Sequence, residues 1–548
     1  MPCRGYGAFA IHDKEISVRS MFAARSLERK ERDMQYIVTA QEMKKYESFA
    51  MERIGIPPLL LMERAAMEMR DVLMRYVRKK SRILVFAGTG NNGGDALAVG
   101  RLLAEKGAEV SFYMPGNRRR VSAETRKQLS ILRNLGFAVF SKLPEAEYDI
   151  VIDGLFGIGL SRDIEGVYES AVEEIARFRA KGALVASVDI PSGISADSGK
   201  ALGRCVYADL TVTFEYGKAG HYLYPGKVAA GRLFIRRIGL DGRALKEAGL
   251  PSFFTYPGKE LQNRLPVRNP AGHKGSFGRV LLIAGSRGMA GAAILCGRSI
   301  FRTGAGMLKI ITPDSNREIL QTTLPEAMVD SYGEMPNLDG ARKALSWADV
   351  VVAGPGMGQG EDAKALLYQV LAGKCGDGRE GERALVLDAD ALNLIAGSQK
   401  LQEAVCSYKK GRMIMTPHPG EFARLSGLTM EEYGRDRKRA VQSLARRFGC
   451  VIVGKDAVTL AAAPEEGPVF LNLSGNDGMA VAGSGDVLAG VIGGLLAQGL
   501  PPYEAACAGV CLHGYGGDAA ARARSRYGVM ASDIIEGVMD VICRVKEV

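Results

Sequence analysis

At 548 residues the chain exceeds what a single hydrophobic core organises, so two or more domains are expected. Its 47% hydrophobic and 24% charged residues are those of an ordinary globular protein. The formal net charge of +11 is spread along the chain and aromatics make up only 7%, which argues against a nucleic-acid surface. Short basic runs such as Arg118–Arg120 read as solvated turns, and nucleotide phosphates account for the basic balance more simply.

Residues 1–33 lack the apolar core of a signal peptide and read as a poorly ordered extension. A regular pattern begins at Met34, which is a candidate start of the folded protein or of translation. Tyr36 to Tyr76 reads as two helices around GIPPLLLMERAA. Arg82–Phe86 is a short buried strand, followed by AGTGNNGGDALAVGRLLAEKG. Gly88, Gly90 and Gly93 match G-x-G-x-x-G between a strand and a helix. Two features argue against a standard dinucleotide site. Asp95 puts a negative charge at the helix start, and the next strand, AEVSFYM, ends without the acid that grips a ribose. Asn91, Asn92 and Asp95 look instead like specific polar contacts.

The strand-then-loop pattern repeats. Asp149–Asp153 leads into GLFGIGLSRDIEG, and Ala183–Asp189 leads into IPSGISADSG. Strands at Leu210–Phe214 and Arg232–Arg236 complete a first domain over 34–240. Strands alternating with helices imply a parallel, doubly wound sheet that binds ligands at its carboxyl edge. Asn92, Asp153, Asp189 and Ser192 then converge there, an oxygen-only set that suits a hard cation. Taken singly, each also reads as a cap or a turn residue.

Residues 241–270, rich in Gly, Pro and charge, read as a linker and the entry to a second α/β domain over 271–548. Its strands are expected at Arg279–Ala284, Met307–Ile311, Asp349–Ala353, Ala384–Leu387, Met413–Met415, Cys450–Val453 and Val469–Leu473. They lead into GPGMGQG, DADALN, TPHPGEFARL and GKDAVTLAA, and three helices close the chain. No G-x-x-x-x-G-K-[ST] is present, so phosphate binding is not of the P-loop kind. Lys455 and Thr459 are candidate phosphate contacts, and His418, between two prolines, is held on a stiff loop. Asp388 and Asp390 serve a metal-bound phosphate or cap the next helix.

The stretch that organises this half is Leu471–Leu496, a strand, a glycine-rich loop and a buried helix. Gly483 and Gly485 let amides converge, and the helix N-terminus suits an anion. Asp486 stands there, as an N-cap or as the base that deprotonates a hydroxyl attacking a phosphate. The nine cysteines contain no C-x-x-C pair and read as reduced residues of a cytoplasmic protein.

GTGNNGGD, DGLFGIGL and VDIPSG resemble the NAD(P)H-hydrate epimerase family, a Rossmann-like fold. TPHPGE, LDADALN, GPGMG, GKDAVT and GNDGMAVAGSGDVLAG resemble the NAD(P)H-hydrate dehydratase family, of the ribokinase-like superfamily. The resemblance covers about Met34 to the C-terminus. It implies that the first domain interconverts the R and S hydrates of NADH and NADPH. There Asn91, Asn92, Gly93, Gly94 and Asp95, the loop Gly157, Ile158, Gly159, Leu160, Ser161, Arg162 and Asp163, and Asp189 contact substrate. Asn92, Asp153 and Ser192 match potassium-binding positions, and Asp189 is the candidate acid/base.

The resemblance implies that the second domain dehydrates the S form with ADP, giving the reduced cofactor, AMP and phosphate, with Mg²⁺ expected for phosphoryl transfer. Ala293, Gly356 or Gly358, His418 and the catalytic candidate Asp486 match substrate positions. Lys455, Asp456, Ala457, Val458, Thr459 and Gly485 match nucleotide positions. Ala96 and Ile158 depart from a common glycine and threonine. The expected partners are small molecules, NAD(P)H hydrates and ADP, and further copies of the chain, with neither nucleic acid nor membrane. A ribokinase-type kinase of a small alcohol is the rival, and it predicts accumulation of a phosphorylated product. A non-catalytic nucleotide sensor is a second rival and predicts that Asp486→Asn leaves function intact. A dehydrogenase is the weakest.

Overall fold

The computed structural model describes residues 34–240, 242–372 and 383–546. The extension read at 1–33 lies outside the described residues, as do parts of two connections and the last two residues. Two β-sheets carry the molecule. The first has seven strands, in spatial order Val139–Phe140, Glu109–Tyr113, Arg82–Ala87, Ile150–Gly154, Leu184–Val188, Leu210–Phe214 and Arg232–Arg236. Every neighbouring pair is parallel. The strand order turns around between Arg82–Ala87 and Ile150–Gly154, which opens a crevice at their carboxyl ends. These central strands are buried on both faces and therefore read as unbroken apolar runs in the sequence.

The second sheet has twelve strands and the same kind of turning point, between Arg279–Ile283 and Val350–Ala353. From Met328–Tyr332 to Val451–Gly454 its strands are parallel. Leu460–Ala462 and Val469–Leu471 then add as an antiparallel hairpin. The helix Ser484–Ala497 lies beneath this sheet with Val487 to Leu496 wholly buried. Each large aliphatic side chain so buried contributes on the order of 1.5–3 kcal/mol.

The halves do not meet only through a linker. Phe253–Thr255, inside the stretch read as linker, is a strand that pairs with Val469–Leu471. Gln35–Val38, expected to be helical, is a strand that pairs antiparallel with Phe253–Thr255. Gly217–Lys218 follows on its far side. Two strands from the first half thus cap the edge of the second sheet, which would otherwise present unpaired N–H and C=O groups. Helix Ala40–Phe49 starts directly after the first of them, where Thr39 and Glu42 form a capping box. Helix Pro58–Leu73 follows after a wide turn at Ala50–Ile54.

Candidate active sites in the two halves

A cavity of about 570 Å³ occupies the crevice of the first sheet. Asn91, Asn92, Asp95, the run Gly157 to Arg162 and Asp189 all line it. Gly93 and Gly94 do not. A Cβ on Gly93 would lie 2.0 Å from the Gly88 carbonyl oxygen, and one on Gly94 would meet Met62 and Thr125. Their place is close backbone packing behind the cavity. Asp163 is exposed and outside the lining.

Asp189 sits past the end of Leu184–Val188 in a left-handed conformation, φ +61°, which is strained for a non-glycine residue. Two residues that the sequence reading missed hold it there. The buried Lys218 ammonium donates to Asp189 Oδ1 at 2.6 Å, and Thr213 Oγ1 donates to the same oxygen at 2.9 Å. His221 Nε2 lies 2.8 Å from the Asp189 carbonyl oxygen while its Nδ1 accepts from the Lys218 amide at 3.0 Å. That pair of bonds fixes the ring with its proton on Nε2. Burial pushes His221 down to about 4, so the imidazole is neutral. Burial opposes ionisation of Asp189, but Lys218 outweighs it and its carboxyl lies below the usual range. The neighbouring acids go the other way. Burial raises Glu47 to about 7 and pushes Asp95 up, with the Asp189 charge adding to both. The cavity therefore sets Asp189, whose ionised form is favoured, beside Glu47 and Asp95, in which burial favours the protonated form.

Asn92, Asp153 and Ser192 meet on the inner side of the same crevice. Ser192 Oγ donates to Asp153 Oδ1 at 2.5 Å, and the Ser192 amide donates to Oδ2 at 2.9 Å. Phe156 N donates to Ser192 Oγ at 2.9 Å, and Asn92 Nδ2 donates to the Phe156 carbonyl at 3.0 Å. Asp153 is fully buried, burial raises its pKa, and it forms no ion pair with a described residue. Asp153 accepts only from neutral groups, the Ser187 and Ser192 hydroxyls and the Ser192 and Leu155 amides, and with no cationic partner among the described residues this carboxylate beside amide and hydroxyl oxygens fits a monovalent cation.

A second cavity, of about 690 Å³, lies at the carboxyl edge of the twelve-stranded sheet. His418, Lys455, Asp456, Ala457, Thr459, Gly485 and Asp486 line it, whereas Val458 points into the core. Gly483 adopts φ +88° and starts the buried helix; the Ser484 amide donates to the Val481 carbonyl at 3.2 Å, so the Gly485 and Asp486 amides are those left at the helix start. Lys455 Nζ pairs with the buried Asp388 at 2.6 Å. Asp486 is pushed up to about 7, first by burial and then by the Asp388 charge, with Lys455 opposing. Glu421 is raised by burial to about 7 as well. His418 Nδ1 accepts from Gly420 N at 3.1 Å and its Nε2 faces Glu421 at 3.3 Å. Burial lowers the His418 pKa, and Lys455 adds to this. The sequence reading passed over Glu421 and also His513, whose Nε2 stands 3.4 Å from Ser484 Oγ.

Ala293, Gly356 and Gly358 are set apart from this cavity, at the turning point of the second sheet. Gly356 (φ +55°) lies against Ala292 and Met289, and Gly358 lies against Ser286. Asp390 accepts from Gly358 N at 2.9 Å and from Gln359 Nε2 at 3.1 Å, so it braces this loop. Asp388 alone of the two acids faces the large cavity.

Residues 280–539 match the family described as NAD(P)H-hydrate dehydratase, and residues 59–220 match the YjeF-related protein N-terminus. The chain is 34% identical over 532 residues to the bifunctional NAD(P)H-hydrate repair enzyme Nnr of Moorella thermoacetica, covering 93% of this chain and 97% of that one. It is 34% identical to the Escherichia coli enzyme of the same name, with 92% and 93% covered. The chain belongs to the bifunctional NAD(P)H-hydrate repair enzymes. It is accordingly a two-activity enzyme, an NAD(P)H-hydrate epimerase and dehydratase, and the small-alcohol kinase reading is not favoured. Among solved structures, the ADP/ATP-dependent NAD(P)H-hydrate dehydratase from Bacillus subtilis, co-crystallised with ATP and Mg²⁺, is 29% identical with a TM-score of 0.45. It covers 53% of this chain and 98% of that one. Within this repair enzyme no helix of the described residues is long and apolar enough to cross a membrane.

Proposed function

We propose that the first cavity interconverts the R and S hydrates of NADH and NADPH, and that the second dehydrates the S hydrate at the expense of ADP. The observation that carries the second assignment is Asp486, a carboxylate titrating at about 7, at a helix N-terminus beside the Lys455–Asp388 pair. The hydrate bears a hydroxyl on the ring carbon next to nitrogen, and hydroxide is a poor leaving group. Asp486 takes the hydroxyl proton as its oxygen attacks the β-phosphorus of ADP, and AMP departs. The amides of Gly485 and Asp486 and the Lys455 ammonium face the charge that builds on the transferred phosphoryl group. The ring nitrogen lone pair then expels phosphate, and loss of a proton from the adjacent carbon restores the dihydropyridine. The carboxyl oxygens of Asp388, Glu421 and Asp486 in this cavity are of the hard kind that Mg²⁺ takes, which supports Mg²⁺ arriving with the nucleotide. When bound, Mg²⁺ would neutralise phosphate oxygens.

In the first cavity the same lone pair expels the hydroxyl, and water returns to the opposite face. Asp189, held ionised by Lys218, is suited to take a proton from that water. Glu47, raised to about 7, or Asp95, pushed up by burial, is suited to give one to the departing hydroxyl. Asn92, Asp153, Ser192 and the Phe156 carbonyl would hold K⁺, which would anchor the loop that starts at Gly157. Among the described cysteines Cys296, Cys450, Cys507 and Cys511 are buried free thiols, which supports a reducing, cytoplasmic setting.

The test is recovery of absorbance at 340 nm from an R/S mixture of hydrated NADH with ADP, Mg²⁺ and K⁺. Full recovery is expected. Recovery that stops at the S fraction would remove the epimerase assignment. A phosphorylated product that accumulates without recovery would restore the kinase reading.

The pKa of Asp486 also sets a pH limb. The base must be ionised, so kcat/KM for ADP, which reports the free enzyme, falls about tenfold per pH unit below about 7. Asp388→Asn removes a like charge and frees Lys455, and both changes favour the ionised form. The limb therefore moves to lower pH, even though the variant is slower. A limb that stays in place or moves upward would contradict the proposed electrostatics.

A further inference from the structure

The wall of the dehydratase cavity is not built by the second half alone. Tyr224 and Lys227 line it, and they are its only described lining residues that precede Asp388. Both come from the segment that follows Gly217–Lys218, so one stretch of about a dozen residues serves two sites. Its beginning fixes Asp189 through Lys218 and His221, and its end reaches the second cavity. The segment is anchored: Gly226 N donates to the Gly199 carbonyl at 2.8 Å, and Ala229 and Ala230 are buried. Lys227 is therefore presented on a fixed support.

Its charge has no ion-pair partner among the described residues. Lys227 is half-buried, which disfavours the ammonium, and the Asp518 charge partly offsets this. Asp518 is already occupied, accepting from Gly475 N at 3.1 Å and Asn476 Nδ2 at 2.9 Å. Lys227 forms no ion pair with a described residue, and its ammonium stands 5.6 Å from the Tyr224 ring centre. The other acid at this end, Asp477, pairs with Arg526 at 3.1 Å. A half-buried cation facing a cavity without an ion-pair partner is suited to an anion.

The cavity that Lys227 enters contains Lys455, Asp456, Ala457, Thr459 and Gly485, and it does not contain Ala293, Gly356 or Gly358. His418 and Asp486, where the reacting hydroxyl arrives, also line it, but the five nucleotide positions outnumber them, so the anion that Lys227 faces is assigned to the nucleotide. We propose that Lys227, with Tyr224 beside it, is a nucleotide-binding residue of the dehydratase supplied by the epimerase half, and that its ammonium contacts an anionic oxygen of the ADP phosphates. This rests on the ADP assignment made above. The dehydratase of this chain then depends on its companion domain for part of its nucleotide affinity.

The test is titration of the full-length protein with a fluorescent ADP analogue in the presence of Mg²⁺. Lys227→Ala is expected to weaken binding about tenfold, the size of one lost charge-assisted hydrogen bond, and Lys227→Arg to keep most of the affinity. Adenosine, which lacks the phosphates, should bind wild type and Lys227→Ala alike. In turnover, KM for ADP should rise while KM for the hydrate and the epimerase rate stay within about twofold. Unchanged ADP affinity in Lys227→Ala, an equal loss of adenosine binding, or a KM rise confined to the hydrate would overturn the proposal. A wild-type protein that binds no ADP would instead remove the nucleotide assignment itself, and the inference with it.

Discussion

Asp486→Asn is expected to lower dehydratase turnover by about 10²–10⁴-fold, the range for loss of a positioned base, while epimerisation of the R hydrate continues at the wild-type rate. The asparagine keeps the shape of the side chain and the start of the helix at Ser484, so nucleotide affinity should change little. What it removes is the group that accepts the hydroxyl proton. An N-cap role alone predicts a different pattern, with a small loss of stability and intact chemistry. The chain-order N-cap of this helix is Gly483, and no side-chain cap bond is made there. Turnover of Asp486→Asn within about tenfold of wild type would therefore remove Asp486 as the base.

The same variant carries a second, opposite signature. In the native state Asp486 titrates at about 7, against an ordinary 3.8. Between those values the native protein holds a proton that the unfolded chain releases. Wild-type stability attributable to this group therefore falls as pH rises through that window, and the cost is fully present above about 7. Asp486→Asn lacks the cost. Its melting temperature should exceed that of wild type at pH 8, and the gap should close as pH falls towards 4. A catalytic carboxylate held in an unfavourable place predicts this trade of stability for function. A gap independent of pH would show that Asp486 is not held against its charge.

How much of this was legible in the sequence follows from where the stabilising partners lie. Leu210–Phe214, Ala384–Leu387 and Met413–Met415 fall where their apolar runs place them, because a strand buried on both faces carries its signal within itself. Gln35–Val38, Gly217–Lys218 and Phe253–Thr255 have two to four residues each and exist through pairing with segments far away in sequence. No local pattern marks them. Met328–Tyr332, an edge strand with exposed Met328 and Asp330, is likewise hidden by its polarity.

The sites divide in the same way. Loops that present backbone to a ligand show their glycines, so the run Gly157 to Arg162 and the start of the helix at Ser484 were readable. Lys218 and His221 act on Asp189 from about thirty residues downstream, where no spacing rule connects them. One signal pointed to them: they follow Leu210–Phe214, the neighbour of the strand that ends at Asp189. Tyr224 and Lys227 carried no signal at all, because only the capping of one sheet by the other half brings them to the second cavity.

Lys218→Met is the sharper test of the epimerase half. Lys218 is fully buried and supplies the positive charge that keeps Asp189 ionised among Glu47 and Asp95. Without it, burial and those acids raise the Asp189 carboxyl, and the base exists only at higher pH. At neutral pH the epimerase rate is expected to fall about a hundredfold, and raising the pH should recover part of it. Asp189→Asn removes the base outright, so its loss should be as large and should not respond to pH. That contrast separates a residue that positions and charges the base from one that is merely structural. Breaking a buried pair also costs about 3–5 kcal/mol, so Lys218→Met should melt at lower temperature than wild type. The double variant Lys218→Met with Asp189→Asn leaves no unpaired charge at this pair and should regain much of that stability while remaining inactive. If Lys218→Met is folded and keeps the wild-type pH profile, Lys218 does not act through Asp189. If its loss is flat with pH while its fold is intact, the ammonium instead meets the substrate directly.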